Sequence, residues 1–197
     1  MITKEFIHLH LPRTAGTAFR HVISNKFADK VTIISDMNHP TPKAIEELNA
    51  TAPKFILVRN PWSWYVSWYR WRIQRHNFTG TFQEHMNQML HTKNNGLYVP
   101  FSQVGTLTDC FNGFTQAGVD DIYKFEDVPL VYAKAVAKYS NIDPILLLDE
   151  LNKCKLRSSE ETRHYSYYYT EETMSMVSEI DSTYICRFGY EFEGEML

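Results

Sequence analysis

Two short stretches carry residue types, at suitable spacing, that would grip phosphate. The first is Pro12-Arg13-Thr14-Ala15-Gly16-Thr17, which follows an alternating apolar run and precedes a helical pattern. A small-residue turn between a strand and a helix N-terminus gathers backbone N–H groups around one point, and the helix dipole adds to their pull on an anion. Gly16 allows close backbone approach. Thr14 and Thr17 add hydroxyls, and Arg13 adds a permanent charge on a planar fork of donors. An ATP-type loop needs a Gly-Lys pair. This stretch has a single glycine and no such pair, which argues against a kinase or an ATPase.

The second stretch is "KFILVRNPWSWYVSWYR". Arg59 stands at the end of an apolar run, and Asn60-Pro61 opens a helix. Ser63 and Ser67 lie four residues apart on one face of that helix. An arginine and hydroxyls so placed can close around a terminal phosphate. Between the two stretches, in "SDMNHPTPKAI", stands His39, whose ordinary titration range suits proton abstraction. Asp36 and Glu126, also at expected strand ends, are rivals for that role. His8 and His10 alternate along the first strand and share a face. A metal pair there lacks an evident third ligand, so both read as partly buried structural histidines.

The elements that must position these residues follow a β-α-β-α-β-α rhythm. Residues 5–11 alternate as a strand, and from Thr17 the positions Phe19, Val22, Ile23 and Phe27 keep helical spacing. Residues 31–35 form a short strand, and Thr41 with Pro42 starts a helix. Residues 54–59 are a nearly all-apolar strand of the kind buried in a parallel sheet, and a helix runs from Pro61 to about Arg75. Further on, "TFQEHMNQMLH" reads as a helix and residues 122–128 as a strand ending at Glu126. Helices follow from Val128, from Asp143-Pro144 and from Thr170. The expected fold is α/β, three-layered, with a mostly parallel central sheet and helices on both faces. Such sheets bind ligands at the carboxyl ends of their strands, where residues 12–17, 36–40 and 59–63 all fall. No linker or repeat divides the chain, so residues 1–197 read as one domain with about 72–121 as an acceptor-side insertion.

The bulk numbers narrow the class. A chain of 197 residues with 44% hydrophobic and 22% charged residues reads as an ordinary globular protein. A formal net charge of −3 gives no reason to expect nucleic acid or an anionic membrane as partner. Three widely spaced cysteines, Cys110, Cys154 and Cys186, form neither a metal pattern nor a disulfide framework, which suits a reducing compartment. No signal pattern opens the chain and no apolar run approaches the ~20 residues of a membrane span. The expectation is a cytoplasmic protein.

The first stretch resembles the 5′-phosphosulfate loop of PAPS-dependent sulfotransferases, commonly P-K-[ST]-x-G-[ST]. The second resembles their 3′-phosphate element, matched here by Arg59, Asn60, Pro61, Ser67, Tyr69 and Arg70. The resemblance extends from about residue 5 to 192. "TFQEHM…LYVPFSQVGTL…VDDIYKFEDV" is similar to the middle region of carbohydrate-type members, and "LNKCKLR…RHYSYYYTEETMSMVSEIDSTYICRFGYEF" to their C-terminal part. It implies a P-loop-like fold, PAPS as sulfuryl donor, adenosine 3′,5′-bisphosphate (PAP) as product, no metal, and a small-molecule or glycan acceptor. It implies that Arg13 and the backbone of Thr14 to Ala18 hold the phosphosulfate, with Ala15, Gly16 and Thr17 between them. Arg59 and Ser67 then hold the 3′-phosphate, and His39 acts as base. Two departures stand out: Arg13 replaces the usual lysine, and Ser63-Trp64 replaces a common Asp-Arg. Arginine neutralises charge but is a poor proton donor, so a binding protein that has lost catalysis is the first alternative, and a small-molecule kinase with an atypical loop the second. Trp62, Trp64, Tyr65, Trp68, Tyr69 and Trp71 read mostly as core. Any of these, or Tyr165, Tyr167, Tyr168 and Tyr169, is open as an acceptor or adenine contact. Lys155, Arg157 and Arg163 form a basic run that suits either an anionic ligand or a solvated face.

Overall fold

The structure, a computed structural model, describes residues 1–91, 105–154 and 163–194. These residues group into two compact units, Met1–Val58 with Gly113–Ser158, and Arg59–Asn112 with Ser159–Leu197. The segment "TKNNGLYVPFSQV" and the basic residues Lys155 and Arg157 lie outside the described residues.

The first unit is built on a five-stranded mixed sheet. Its strands are β1 (Ile2–Thr3), β2 (Ile7–Leu9), β3 (Ile33–Ser35), β4 (Lys54–Val58) and β5 (Asp121–Lys124), in the order β3-β1-β2-β4-β5. β2, β4 and β5 are parallel, with His8 opposite Phe55 and Leu57 opposite Tyr123. β1 runs antiparallel to both β2 and β3, so it sits between two strands that point the same way. This strand departs from the mostly parallel expectation. A two-residue strand has no period to read, and it is made by a tight turn in which Thr3 Oγ1 donates to Phe6 O at 2.7 Å. The expected strand over 5–11 is shorter, because Leu11 N–H turns back onto Leu9 O at 3.0 Å.

Helices α1 (Gly16–Lys26), α2 (Pro42–Glu47), α6 (Leu130–Tyr139) and α7 (Pro144–Lys153) belong to this unit. The core joins Phe19, Val22 and Ile23 of α1 to Phe55, Tyr132 and Leu147. Thr41 caps α2 by accepting from Ala44 N–H, and Asp143 caps α7 by accepting from Ile145 and Leu146 N–H, as their sequence positions predict. Residues 125–127 form a 3-10 turn instead of continuing β5, so Glu126 does not stand at a strand end.

The second unit holds α3 (Pro61–His76), α4 (Phe82–His91), most of α5 (Leu107–Thr115), α8 (Glu171–Ile180) and α9 (Ser182–Phe188), with a 3-10 turn at Tyr165–Tyr168. α3 buries Trp62, Trp64, Tyr65 and Trp68. Tyr169 is buried as well, its hydroxyl donating to Trp62 O at 2.9 Å. One carboxylate organises this unit. Asp181, at the α8–α9 junction, accepts from Tyr65 Oη at 2.8 Å, Thr108 N–H at 2.8 Å and Thr108 Oγ1 at 2.6 Å, and is fully buried. Burial pushes its carboxyl up, against the pull of those donors. No helix of the described residues is long and apolar enough to cross a membrane.

Candidate functional site

The phosphate loop turns sharply between β2 and α1. Arg13 and Ala15 both adopt left-handed backbone, at φ 67° and 57°. Left-handed non-glycine residues cost about 1–3 kcal/mol each and gather at ligand sites. Conformations of this kind, strung along a turn, aim successive N–H groups at one point. Thr14 is buried and its Oγ1 donates to Leu11 O at 2.6 Å, which holds the turn rather than offering the expected free donor. Ala18 N–H likewise donates back to Ala15 O at 2.9 Å. The N–H groups of Thr14, Ala15 and Thr17 have no hydrogen-bond partner among the described residues. Arg13 is half-buried, and loss of water pushes its guanidinium down to about 10.

Gly16 is needed for a reason the sequence did not suggest. A Cβ there would lie 2.2 Å from the His10 ring. Gly16 N–H donates to His10 Nε2 at 3.0 Å. With Nε2 accepting, the proton of the neutral ring is on Nδ1, which donates to Asn38 O at 2.9 Å. One imidazole therefore joins the phosphate loop to the 36–40 turn.

His39 lies in that turn, buried to 6% exposure and stacked on His10 with centroids 4.3 Å apart and planes 16° apart. Its Nδ1 donates to His10 O at 2.9 Å, which leaves the lone pair on Nε2, and there Asn38 Nδ2 donates at 3.1 Å. Asn38 Oδ1 in turn accepts from Thr17 Oγ1 at 3.3 Å. Burial holds the His39 ring below its ordinary range and holds His10 well below. The topology explains the meeting: β2 and β3 run the same way, so the residues that leave their carboxyl ends converge. Of the rival bases, Asp36 is paired with Arg20 at 2.7 Å. Glu126 is exposed on its 3-10 turn.

In the second unit, Asn60 caps α3, its Oδ1 accepting from Ser63 N–H at 3.2 Å while its Nδ2 donates to Glu191 O at 3.1 Å. Arg59 Nε donates to Ser63 Oγ at 2.8 Å, a bond that fixes the guanidinium along α3. Tyr184 Oη accepts from Arg59 N–H at 3.1 Å and donates to Arg59 O at 3.3 Å. Ser67, half-buried, stands one turn beyond Ser63. Arg70 Nη2 donates to Arg163 O at 2.7 Å, and its guanidinium lies 5.0 Å from the Tyr168 ring centre. Of the tyrosines open as ligand contacts, Tyr167 is exposed and carries Arg163 4.3 Å above its ring.

The sequence named the loop, Arg59, Ser67 and His39 as candidates; it did not point to His10 and Asn38, which the structure bonds to the loop and to His39, or to Tyr184, which it bonds to Arg59. The residue before Pro40 would have drawn notice only for its histidine; nothing in spacing marks the amide beside it.

Neither a scan against protein-family models nor a search of curated proteins gives a match. Among solved structures, the chain is similar to the mouse sulfotransferase SULT7A1, crystallised in complex with PAP. The match has a TM-score of 0.60 at 13% identity and covers 93% of this chain and 86% of that one. The fold is that of a sulfotransferase.

Proposed function

We propose that the chain transfers a sulfuryl group from PAPS to an acceptor hydroxyl on a carbohydrate or other small molecule. The observation that carries this reading is the strained, N–H-lined loop at Arg13–Thr17, hydrogen-bonded to the His39 turn in a chain with a sulfotransferase fold. The donor set suits an anionic cofactor: unpartnered backbone N–H groups at a helix start and a desolvated guanidinium. PAPS supplies the sulfuryl group and a phosphate as its leaving group. Arg13 and the N–H groups of Thr14, Ala15 and Thr17 hold and neutralise the 5′ end, where charge develops. Arg59, steadied by Ser63, binds the 3′-phosphate together with Ser67. His39 receives the acceptor proton at Nε2, the nitrogen that carries its lone pair, once the acceptor hydroxyl takes the place of the Asn38 amide.

Calorimetric titration with adenosine 3′,5′-bisphosphate, beside ATP with magnesium, tests the cofactor. Binding of the bisphosphate, weakened roughly 10- to 100-fold in Arg59→Ala through loss of charge-assisted bonds, supports the reading. Failure of well-folded protein to bind it refutes the reading. Labelled sulfate passing from PAPS to members of an acceptor panel, and lost in His39→Ala, tests the transfer.

One observation favours a second reading, a PAPS-binding protein without catalysis. Asn38 Nδ2–H already occupies the lone pair that must take the proton, and Arg13 stands where a lysine is usual and is a poor proton donor. That reading expects bisphosphate binding with no transfer to any acceptor.

A further inference from the structure

We propose that His10 is a positioning residue of the candidate site: its neutral imidazole, protonated on Nδ1, sets the phosphate loop and ties it to the turn that carries His39, while its carbonyl holds the His39 ring. This rests on the sulfotransferase reading of the site. The geometry behind it is a closed circuit. His10 Nε2 accepts from Gly16 N–H at 3.0 Å, and His10 Nδ1 donates to Asn38 O at 2.9 Å. The His10 carbonyl accepts from His39 Nδ1 at 2.9 Å, and the two rings stack at 4.3 Å. The ring also fills the space in front of Gly16, where even a methyl carbon would collide with it at 2.2 Å.

Three consequences follow from that circuit. Gly16 N–H is turned inward to His10 and is not among the donors facing an anion, so the loop's opening is set by where the ring stands. The His10 carbonyl fixes the His39 tautomer, which puts the lone pair on Nε2. The stacked rings exclude a second positive charge, since two imidazolium ions at this distance, out of water, repel strongly. Other groups near this pair are His8, whose ring centre lies 5.7 Å from that of His10, and the Arg20–Asp36 ion pair on α1 and the 36–40 turn.

Two conservative variants separate the arms of the circuit. Glutamine can place an acceptor near Nε2, and asparagine a donor near Nδ1. His10→Gln should keep bisphosphate affinity within about threefold of wild type. His10→Asn should weaken it about tenfold, the loss expected for one buried hydrogen bond left unmade. The ¹⁵N spectrum of labelled imidazoles supplies a readout that a packing role would not move. Wild-type His10 and His39 should both show a protonated Nδ1 and an unprotonated Nε2 at pH 7, and His39 should keep that tautomer in both variants, since the carbonyl that fixes it is main chain. Unfolding midpoints confirm that each variant is folded. Equal affinity in both folded variants, or a His10 ring protonated on Nε2, overturns the proposal. Failure of wild type to bind the bisphosphate while the spectrum shows the Nδ1–H tautomers sinks the cofactor reading and reduces the circuit to a structural one. A wrong tautomer with intact binding sinks only the role given to His10.

Discussion

Acid should unfold this protein well before its carboxylates titrate. His8, His10 and His85 are buried, with relative exposures of 1%, 3% and 0%. Burial holds His8 and His10 well below the ordinary value of 6.5 and brings His85 down to about 3, helped there by Arg72, which donates to His85 Nδ1 at 3.0 Å. Each ring therefore stays neutral in the folded chain and takes up a proton in the unfolded one. With the folded value depressed, the unfolded state binds more protons below pH 6.5, so stability is present above that pH and is lost as pH falls. At pH 5.5, one unit below the unfolded value, each ring costs about 1–2 kcal/mol. The three together cost about 4 kcal/mol relative to pH 7.5, against a typical total of about 5–15 kcal/mol. His39, lowered as well, adds to the same slope. Asp181 acts with the opposite sign, since its raised carboxyl lets the folded state hold a proton longer, but it is one group against several.

Urea unfolding at pH 7.5, 6.5 and 5.5 measures this directly. His8→Leu sharpens the test. His8 Nε2 is buried with no hydrogen-bond partner among the described residues, and its ring lies flat on Phe55 at 5.0 Å. Whatever the substitution does to packing at pH 7.5, the variant should be less acid-sensitive than wild type by about 1–2 kcal/mol at pH 5.5. Stability that stays level to within about 1 kcal/mol between pH 7.5 and 5.5, beyond the precision of the extrapolation, would refute the claim that these rings are kept neutral.

Gly16→Ala should lose bisphosphate binding and about 1–3 kcal/mol of stability, because the added carbon meets the His10 ring at 2.2 Å; titration and urea unfolding check the pair. Asp181→Ala should cost about 3–5 kcal/mol by leaving the Tyr65 and Thr108 donors unmatched in the interior, with Asp181→Asn recovering part of it in a thermal melt. Tyr184→Phe removes both bonds to the Arg59 backbone; it should cost about 1–3 kcal/mol and weaken bisphosphate binding, whereas unchanged affinity would separate Tyr184 from the site. If transfer is found, kcat/KM should hold as pH is lowered to the ordinary histidine value and fall below it, following the depressed His39 ring; an acid limb above pH 6.5 would point to another base.

Most of the scaffold was legible because its signals are local. Thr41, Asn60, Asp143 and Thr170 each cap the helix that their position announces. The apolar run at 54–58 is the interior strand β4, flanked by β2 and β5. Helices α5 and α9 were not read from the sequence, and the rest of what escaped is non-local or too short to have a period. β1 is two residues long and is defined by its partners. Asp181 looks like an ordinary acidic residue at the end of a helical pattern; only the arrival of Tyr65 and Thr108, more than 70 residues away, makes it a buried node. Glu126 was placed at a strand end on the strength of "IYKFEDV", but the strand gives way to a 3-10 turn after Lys124.

His10 shows why composition underrates such a residue. Read along the expected strand over 5–11, it is one of two alternating histidines, and burial is what the structure gives both, with His8 on β2 and His10 just past its end. The difference between them lies in what each nitrogen meets. His8 Nε2 meets no hydrogen-bond partner among the described residues, while both nitrogens of His10 are engaged, six residues ahead at Gly16 and 28 ahead at Asn38. The Gly16 bond is local enough to suspect, yet the sequence supplies a competing explanation for that glycine, close approach to a phosphate, and the competitor prevails on pattern alone. The two explanations are compatible in one respect only: the glycine must be bare because something approaches it. That it is a ring of the chain's own, hydrogen-bonded to the same peptide, changes which donors the loop can offer to an anion and ties the loop's shape to the turn that carries Asn38 and His39.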